Sequence, residues 1–246
     1  MLLEGKIAVV TGAGRGIGSE IARLFASEGA SVVVNYHHSA DTAVKLATEI
    51  GRGSIALGAD VSDPAAAKDM MDKVAAHFGR IDILVNNGAS FAHDLPFEKA
   101  EWEDYTKEFV GVVGATVNPT RAVTPYMKSQ GGGKIVNFIA TLVQRPSADQ
   151  IVHTTCKSAL IGLTRTLARD LGPYGITVNM VSPGMTMTQY STSLPEDLKA
   201  RVTGQTPLRR LATAEDVAKV VLFYASPLAD FVTGANIAPD GGLVVL

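Results

Sequence analysis

The sequence predicts an α/β fold in three layers, a doubly wound parallel sheet of about seven strands with helices on both faces. Two observations predict it. Short apolar runs rich in β-branched residues recur along the chain, and stretches with apolar positions three and four apart fill the intervals between them. Parallel strands need crossover helices, and a central strand covered on both sides reads as a near-continuous apolar run. A hydrophobic content of 46% against 19% charged residues, over 246 residues, supplies the apolar surface that such a core requires.

The runs come in order at Ile7 to Val10, Ser31 to Asn35, Ser54 to Gly58, Ile81 to Asn86, Lys134 to Phe138 and Ile176 to Val181, with a last short strand near Ile237. Between them, Ile21, Leu24 and Phe25 mark one helix face, and Leu160, Leu163, Thr164 and Leu167 mark another. No linker, repeat or Pro/Gly-rich spacer divides residues 1–246, which are expected to form one domain. The stretch 185–211 is polar and carries Pro195 and Pro207; it is expected as a helical excursion over a ligand cleft, in the manner of a lid.

Composition excludes several function classes. Twenty-two Lys and Arg against 24 Asp and Glu leave a net charge of −2, which offers no basic field for a nucleic-acid backbone. One cysteine, Cys156, excludes an intramolecular disulfide framework. No apolar run reaches the roughly 18 residues of a membrane span, and the opening residues lack the pattern of a secretory leader. A soluble, cytoplasmic protein with no nucleic-acid or membrane partner is expected. Scattered His and Cys positions show no metal-ligand spacing, so no catalytic metal is expected.

The first strand runs into Thr11-Gly12-Ala13-Gly14-Arg15-Gly16-Ile17-Gly18, which opens a helix near Gly16. Glycines there allow a tight turn and close approach to a pyrophosphate, and the helix start offers N–H groups and a positive dipole end to the anion. Gly12, Gly16, Ile17 and Gly18 are therefore candidate cofactor contacts. The second strand ends in Asn35-Tyr36-His37-His38-Ser39, where an NAD binder places a carboxylate for the ribose hydroxyls; none stands there. Arg15, with the hydroxyls of Tyr36 and Ser39 and the nearby imidazoles, suits a ribose phosphate instead, Asn35 is a further candidate cofactor contact, and NADP is expected in preference to NAD. Asp60-Val61 is placed at the adenine, and Asn86-Asn87-Gly88-Ala89 along the cofactor floor.

The chain resembles the short-chain dehydrogenase/reductase family, in its compact single-domain branch, over essentially its whole length. The resemblance rests on the glycine motif at 11–18, Asp60-Val61, a variant of Asn-Asn-Ala-Gly at 86–89, and Lys134-Ile135-Val136-Asn137. It extends through Lys157-Ser158-Ala159-Leu160, Val178-Asn179-x-Val181-x-Pro183-Gly184 and Asp240-Gly241-Gly242. It implies a Rossmann sheet, a nicotinamide cofactor across the C-terminal edge of the strands, and a homotetramer or homodimer assembled through helices near 100–128 and 153–170. It also implies that Pro183, Gly184 and Thr188 seat the nicotinamide amide and that Lys157 holds its ribose.

The catalytic end departs from the family, whose set is Asn, Ser, Tyr and Lys with the last two spaced Tyr-x-x-x-Lys. Lys157 is present, but His153 stands four residues before it. The family Ser position falls on Ala140, with Thr141 one residue beyond, and the Asn position falls at about Val112. The i, i+4 spacing puts His153 and Lys157 on one helix face. Beside a Lys cation the neutral imidazole is expected, a competent base and a poor acid.

Three readings follow. In the first, NADPH reduces a ketone, or NADP oxidises an alcohol, with protons handled by His153, Thr141, Tyr190, water or the substrate. In the second, redox is dropped and His153 is the base of an isomerase, dehydratase or cyclase, with His93 or Asp94 opposite. In the third, the chain is a catalytically silent, cofactor-binding partner subunit. Family membership favours the first. A blander role for His153 is to fill the volume of the missing Tyr and bond a backbone carbonyl, and Cys156 reads as an inert buried thiol. Leu142, Val143, Gln144, Met185, Met187 and Tyr190 predict an adaptable, mostly apolar small-molecule pocket.

Overall fold

Strands β1 (Ile7–Val10), β2 (Ser31–Tyr36), β3 (Ile55–Gly58), β4 (Ile83–Asn86), β5 (Gly133–Phe138) and β6 (Ile176–Val181) lie in one parallel sheet. β7 (Thr186–Met187) and β8 (Ala212–Thr213) form a separate parallel pair, and β9 (Asn236–Ile237) completes the main sheet in the order β3-β2-β1-β4-β5-β6-β9. This is the Rossmann-type arrangement, and its strand order reverses between β1 and β4. The computed structural model describes residues 1–89 and 95–245, the side chain of Tyr190 excepted.

Alternation within the strands sorts the core into two layers. Ala8, Val10, Val32, Val34, Val85 and Val136 face α1 (Gly16–Ser27), α2 (Ala40–Ile50) and α9 (Ala214–Ala225). Ile7, Val9, Val33, Leu84, Ile135 and Val178 face the other way, onto α3 (Pro64–Phe78), α5 (Ala115–Ser129) and the end of α6 (Ile151–Leu171). The two-sided burial explains why these strands read as unbroken apolar runs. Local signals set the helix ends. At α3, Asp63 accepts from Ala66 N–H at 2.7 Å, Pro64 opens the first turn, and Gly79 at φ 75° stops the helix.

Two predicted strands are shorter than their apolar runs because side chains take over the backbone bonds. Val32 N–H donates to Ser54 Oγ at 3.0 Å just before β3, and Ile81 N–H donates to Gln130 Oε1 at 3.3 Å before β4. Between residues 100 and 130 one long helical stretch is built from α4 (Trp102–Phe109), a π-helical segment at Val110–Gly114, and α5. A buried polar chain ties the helices to the strands. Asn86 on β4 donates to Thr120 on α5 at 2.9 Å and to its cross-strand partner Asn137 at 2.8 Å, and Asn137 donates to Thr164 on α6 at 2.9 Å. These bonds fix α6, the carrier of His153 and Lys157, against the sheet.

The polar stretch 185–211 holds α7 (Gln189–Thr192) and α8 (Glu196–Gln205), and the β7–β8 pair closes it at its two ends. Among the described residues no helix is long and apolar enough to cross a membrane, and no group of three His, Cys, Asp or Glu side chains is placed to hold a metal ion.

Candidate active site

The C-terminal edge of the sheet gathers the glycine turn, the ends of β2, β4 and β5, and the 183–188 segment. Thr11 organises the turn. Its hydroxyl oxygen accepts from Asn87 N–H at 3.0 Å and Gly88 N–H at 2.8 Å, while Asn87 Nδ2 donates back to Thr11 O at 2.9 Å. Gly12 has φ +62°, and a Cβ there would stand 2.7 Å from Gly88 Cα; one at Gly18 would stand 2.6 Å from Asn87 Nδ2. Only glycine lets the two loops meet. The helix α1 that follows has no side-chain cap at Arg15, so its first-turn N–H groups, those of Gly16, Ile17 and Gly18 among them, open the helix without a capping oxygen. Thr188 lies over this turn: a Cβ on Gly16 would be 3.8 Å from its methyl carbon. Such a cradle can hold an anion.

Asn35, expected at the ribose, turns inward. It is 2% exposed, accepts from Gly12 N–H at 3.2 Å, and donates to Leu57 O at 3.2 Å and Ala59 O at 3.1 Å. Its backbone carbonyl also accepts from Ala13 N–H at 2.8 Å. Asn35 therefore shapes the glycine turn, and the rim of the ribose site falls to its neighbours. Tyr36 leans over Gly58, where an added Cβ would meet its ring at 3.1 Å. Ser39 is the N-cap residue of α2, makes no capping bond there, and lies against the glycine turn, 2.6 Å from where a Cβ on Gly14 would be. Arg15 is exposed beside it. His37 and His38 stack with ring centroids 3.7 Å apart, and His37 Nε2 is 3.9 Å from Asp60 Oδ2.

Asp60 accepts from Ser62 N–H at 2.9 Å and from its hydroxyl at 2.7 Å. Burial pushes its carboxyl up, but the Ser62 bonds and the two histidines together hold it below the usual carboxylate range. Val61 is buried in the core layer beneath.

At the catalytic end, α6 carries both His153 and Lys157, 8% and 4% exposed. Lys157 Nζ donates to Phe138 O, at the end of β5, at 2.8 Å. Burial brings its ammonium down to about 8, against the opposing pull of Glu108 and Cys156. His153 Nδ1 lies 2.8 Å from Glu108 Oε1, and Glu108, at the last turn of α4, is 2% exposed. The Nδ1 partner is thus a carboxylate, in addition to the backbone carbonyl that the sequence suggested for this ring. Cys156 is buried beside the pair; burial and then Glu108 push its thiol up to about 11, against Lys157, which suits an inert thiol.

Thr141, expected as a proton donor, is 7% exposed and directs its hydroxyl to Pro183 O at 3.3 Å, with its N–H on the same carbonyl at 3.1 Å. It joins the end of β5 to Pro183-Gly184. Gly184 in turn leaves room for Asp240, whose Cβ is 3.0 Å from where a Cβ on Gly184 would be. Ala140 brings no hydroxyl, and Val112, 1% exposed, sits in an apolar cluster with Val113, Ile139, Cys156 and Leu160. His93, Asp94 and the side chain of Tyr190 lie outside the described residues.

The structure brings Gly12, Gly16, Gly18, Asn87, Gly88, Ser39 and Thr188 to one cradle, and it buries His153 and Lys157 on α6, bonded to Glu108 and to the end of β5. Sequence reasoning missed Glu108. It stands in a charge-rich stretch, where a carboxylate reads as solvated surface, but it also lies four residues before Val112, directly ahead of an apolar run.

Comparison with known proteins gives a consistent result. A family model described as enoyl-(acyl carrier protein) reductase matches residues 12–244. The 3-oxoacyl-(acyl-carrier-protein) reductase of Staphylococcus epidermidis is 37% identical over 243 residues, covering 97% of this chain and 98% of that protein. The protein of the same name from Thermotoga maritima is 36% identical and covered completely, as is this chain. A solved Serratia marcescens short-chain dehydrogenase/reductase variant superposes with a TM-score of 0.93 at 34% identity, over 100% of both chains. With a matching model over nearly all its length, relatives aligned end to end and the same fold, the chain belongs to the short-chain dehydrogenase/reductase family.

Proposed function

We propose that the protein is an NADPH-dependent oxidoreductase that reduces the carbonyl of a small, mostly apolar substrate, with His153 in place of the family tyrosine as proton donor. The observation that carries this reading is the buried Lys157 ammonium bonded at the C-terminal end of β5, in a sheet whose same edge carries the glycine cradle after β1. A desolvated cation is costly unless something uses it. Similarity to named reductases over the whole chain supports the same class.

The residues fit a nicotinamide dinucleotide. The cradle at Gly12, Gly16, Ile17 and Gly18 takes the pyrophosphate on open N–H groups. Arg15, the Ser39 hydroxyl and the uncapped start of α2 surround the place of a ribose 2′-phosphate, and no carboxylate of β2 opposes it. Asp60 and Val61 border the adenine side, Asn87 and Gly88 form the floor, and Pro183, Gly184 and Thr188 close the nicotinamide side. Lys157 holds the nicotinamide ribose. When bound, the reduced nicotinamide supplies the hydride to the carbonyl carbon. His153 gives a proton to the carbonyl oxygen, and Thr141 keeps the Pro183 segment against β5. Leu142, Val143, Met185 and Met187, expected from the sequence to line the pocket, suit an apolar body. We further assign the chain as a single domain working as a cytoplasmic homotetramer or homodimer, from the family pattern.

The test is calorimetric titration with NADPH and with NADH, followed by loss of NADPH absorbance over a panel of ketones and β-keto thioesters. NADPH is expected to bind at least about tenfold tighter, and Arg15→Ala to bring the two together. His153→Ala is expected to lower kcat by about 10²-fold or more. Failure of both nucleotides to bind overturns the reading, as does full turnover in His153→Ala for the donor assignment.

A further inference from the structure

The loss of Asn, Ser and Tyr is accompanied by the gain of two buried polar side chains that touch one another. Glu108 and His153 come from different helices, 45 residues apart, and meet at 2.8 Å. Glu108 stands one helical turn before Val112, so the polar group that this stretch sends toward the catalytic end sits one turn earlier than the Asn position of the family. A buried carboxylate is expensive to desolvate and is retained where it is paired. An ionised carboxylate only accepts, and the ring nitrogen facing such a group carries a proton. Lys157, one turn along α6, brings a positive charge, and among the described residues Glu108 is an anion that acts on both Lys157 and Cys156.

We infer that Glu108 is the positioning residue of His153: it holds the imidazole with a proton on Nδ1 and supplies the negative charge against which the ring takes up a second proton at Nε2. This rests on the assignment of His153 as proton donor. The pair thereby carries its own counter-charge next to Lys157. In the reducing direction the carbonyl carbon receives the hydride, the electron pair of the C–O π bond takes the Nε2 proton, an O–H bond forms and the Nε2–H bond breaks. The ring is left neutral, with Nδ1–H still on Glu108, and a proton from solvent restores it. In alcohol oxidation each transfer is reversed.

The test combines Glu108→Gln and Glu108→Asp with long-range ¹⁵N–¹H NMR of histidine-labelled protein. In the wild type the neutral His153 ring is expected to show its proton on Nδ1, a property read without cofactor or turnover. Glu108→Gln, which keeps the volume and removes the charge, is expected to move that proton into a mixture of tautomers. It is also expected to lower kcat by about 10²-fold, with KM and NADPH affinity within about threefold, and Glu108→Asp to recover part of kcat. A wild-type ring with its proton on Nε2 overturns the inference even if neither variant folds. Unchanged kcat in Glu108→Gln beside an inactive His153→Ala overturns it while leaving His153 as the donor. Full activity in His153→Ala removes the donor assignment and this role with it.

Discussion

The two ends of the site are held together in different ways. At the cofactor end, polar side chains bond mainly to backbone: Thr11 to two N–H groups, Asn87 to Thr11 O, and Asn35 to Gly12 N–H and to two carbonyls. At the catalytic end, the central bond joins two side chains from separate helices. Backbone partners are present whatever the neighbouring residue is, so the loss of one side chain there leaves the others with their partners. A pair of buried side chains must change together. Neighbours that touch in this way couple in their effects on stability.

The largest expected effect follows from that contrast. His153→Phe strips Glu108 of a partner, and denaturant unfolding is expected to show a loss of about 3 kcal/mol. Adding Glu108→Leu is expected to recover most of it. Additive losses in the double variant would break the comparison.

Lys157→Met is next. It is expected to abolish turnover while leaving the unfolding midpoint at pH 7 unchanged or raised, since a desolvated cation is removed. The sign of the pH effect follows from proton counts. The unfolded chain keeps the lysine proton up to its ordinary value of 10.5, whereas the folded chain releases it near about 8. Between those values the unfolded state binds more protons, and stability rises with pH. The Cys156 thiol, ordinary value 9.0 and raised to about 11 in the fold, works in the opposite direction above pH 9. The window is therefore pH 8 to 9, where wild type is expected to gain on the order of 1 kcal/mol and Lys157→Met to show a flat response.

Asn35→Ala is expected to have a smaller effect, about 1–2 kcal/mol of stability with weakened NADPH binding. The NMR signature of His153 should not move. A shifted His153 tautomer in that variant would show that the two ends are coupled after all.

Much of the fold was legible because it is written in short-range patterns. β1 and β6 coincide with their apolar runs, and α1 opens at Gly16 where the glycine motif placed it. Asn35 was legible as a position and not as a role, since its place at a strand end matches a ribose contact, and only the proximity of Gly12 and β3 turns the side chain inward. Thr141 likewise depends on Pro183, 42 residues away. Glu108 was hidden for a related reason. Among Glu98, Lys99, Glu101, Glu103, Asp104 and Lys107 it has no local mark, and its significance comes from a helix later in the chain.

The π-helical segment at Val110–Gly114 lies immediately after Glu108. A π turn holds one residue more than the α turn it replaces, and one residue in an α-helix is about 100° of rotation. Deleting a single residue from this segment would leave both Glu108 and His153 in the sequence and turn Glu108 about a quarter of a circle away from His153. The aim of the carboxylate is thus a matter of chain length as much as of residue type. In this chain, an insertion or deletion at that point would break the contact without replacing either member.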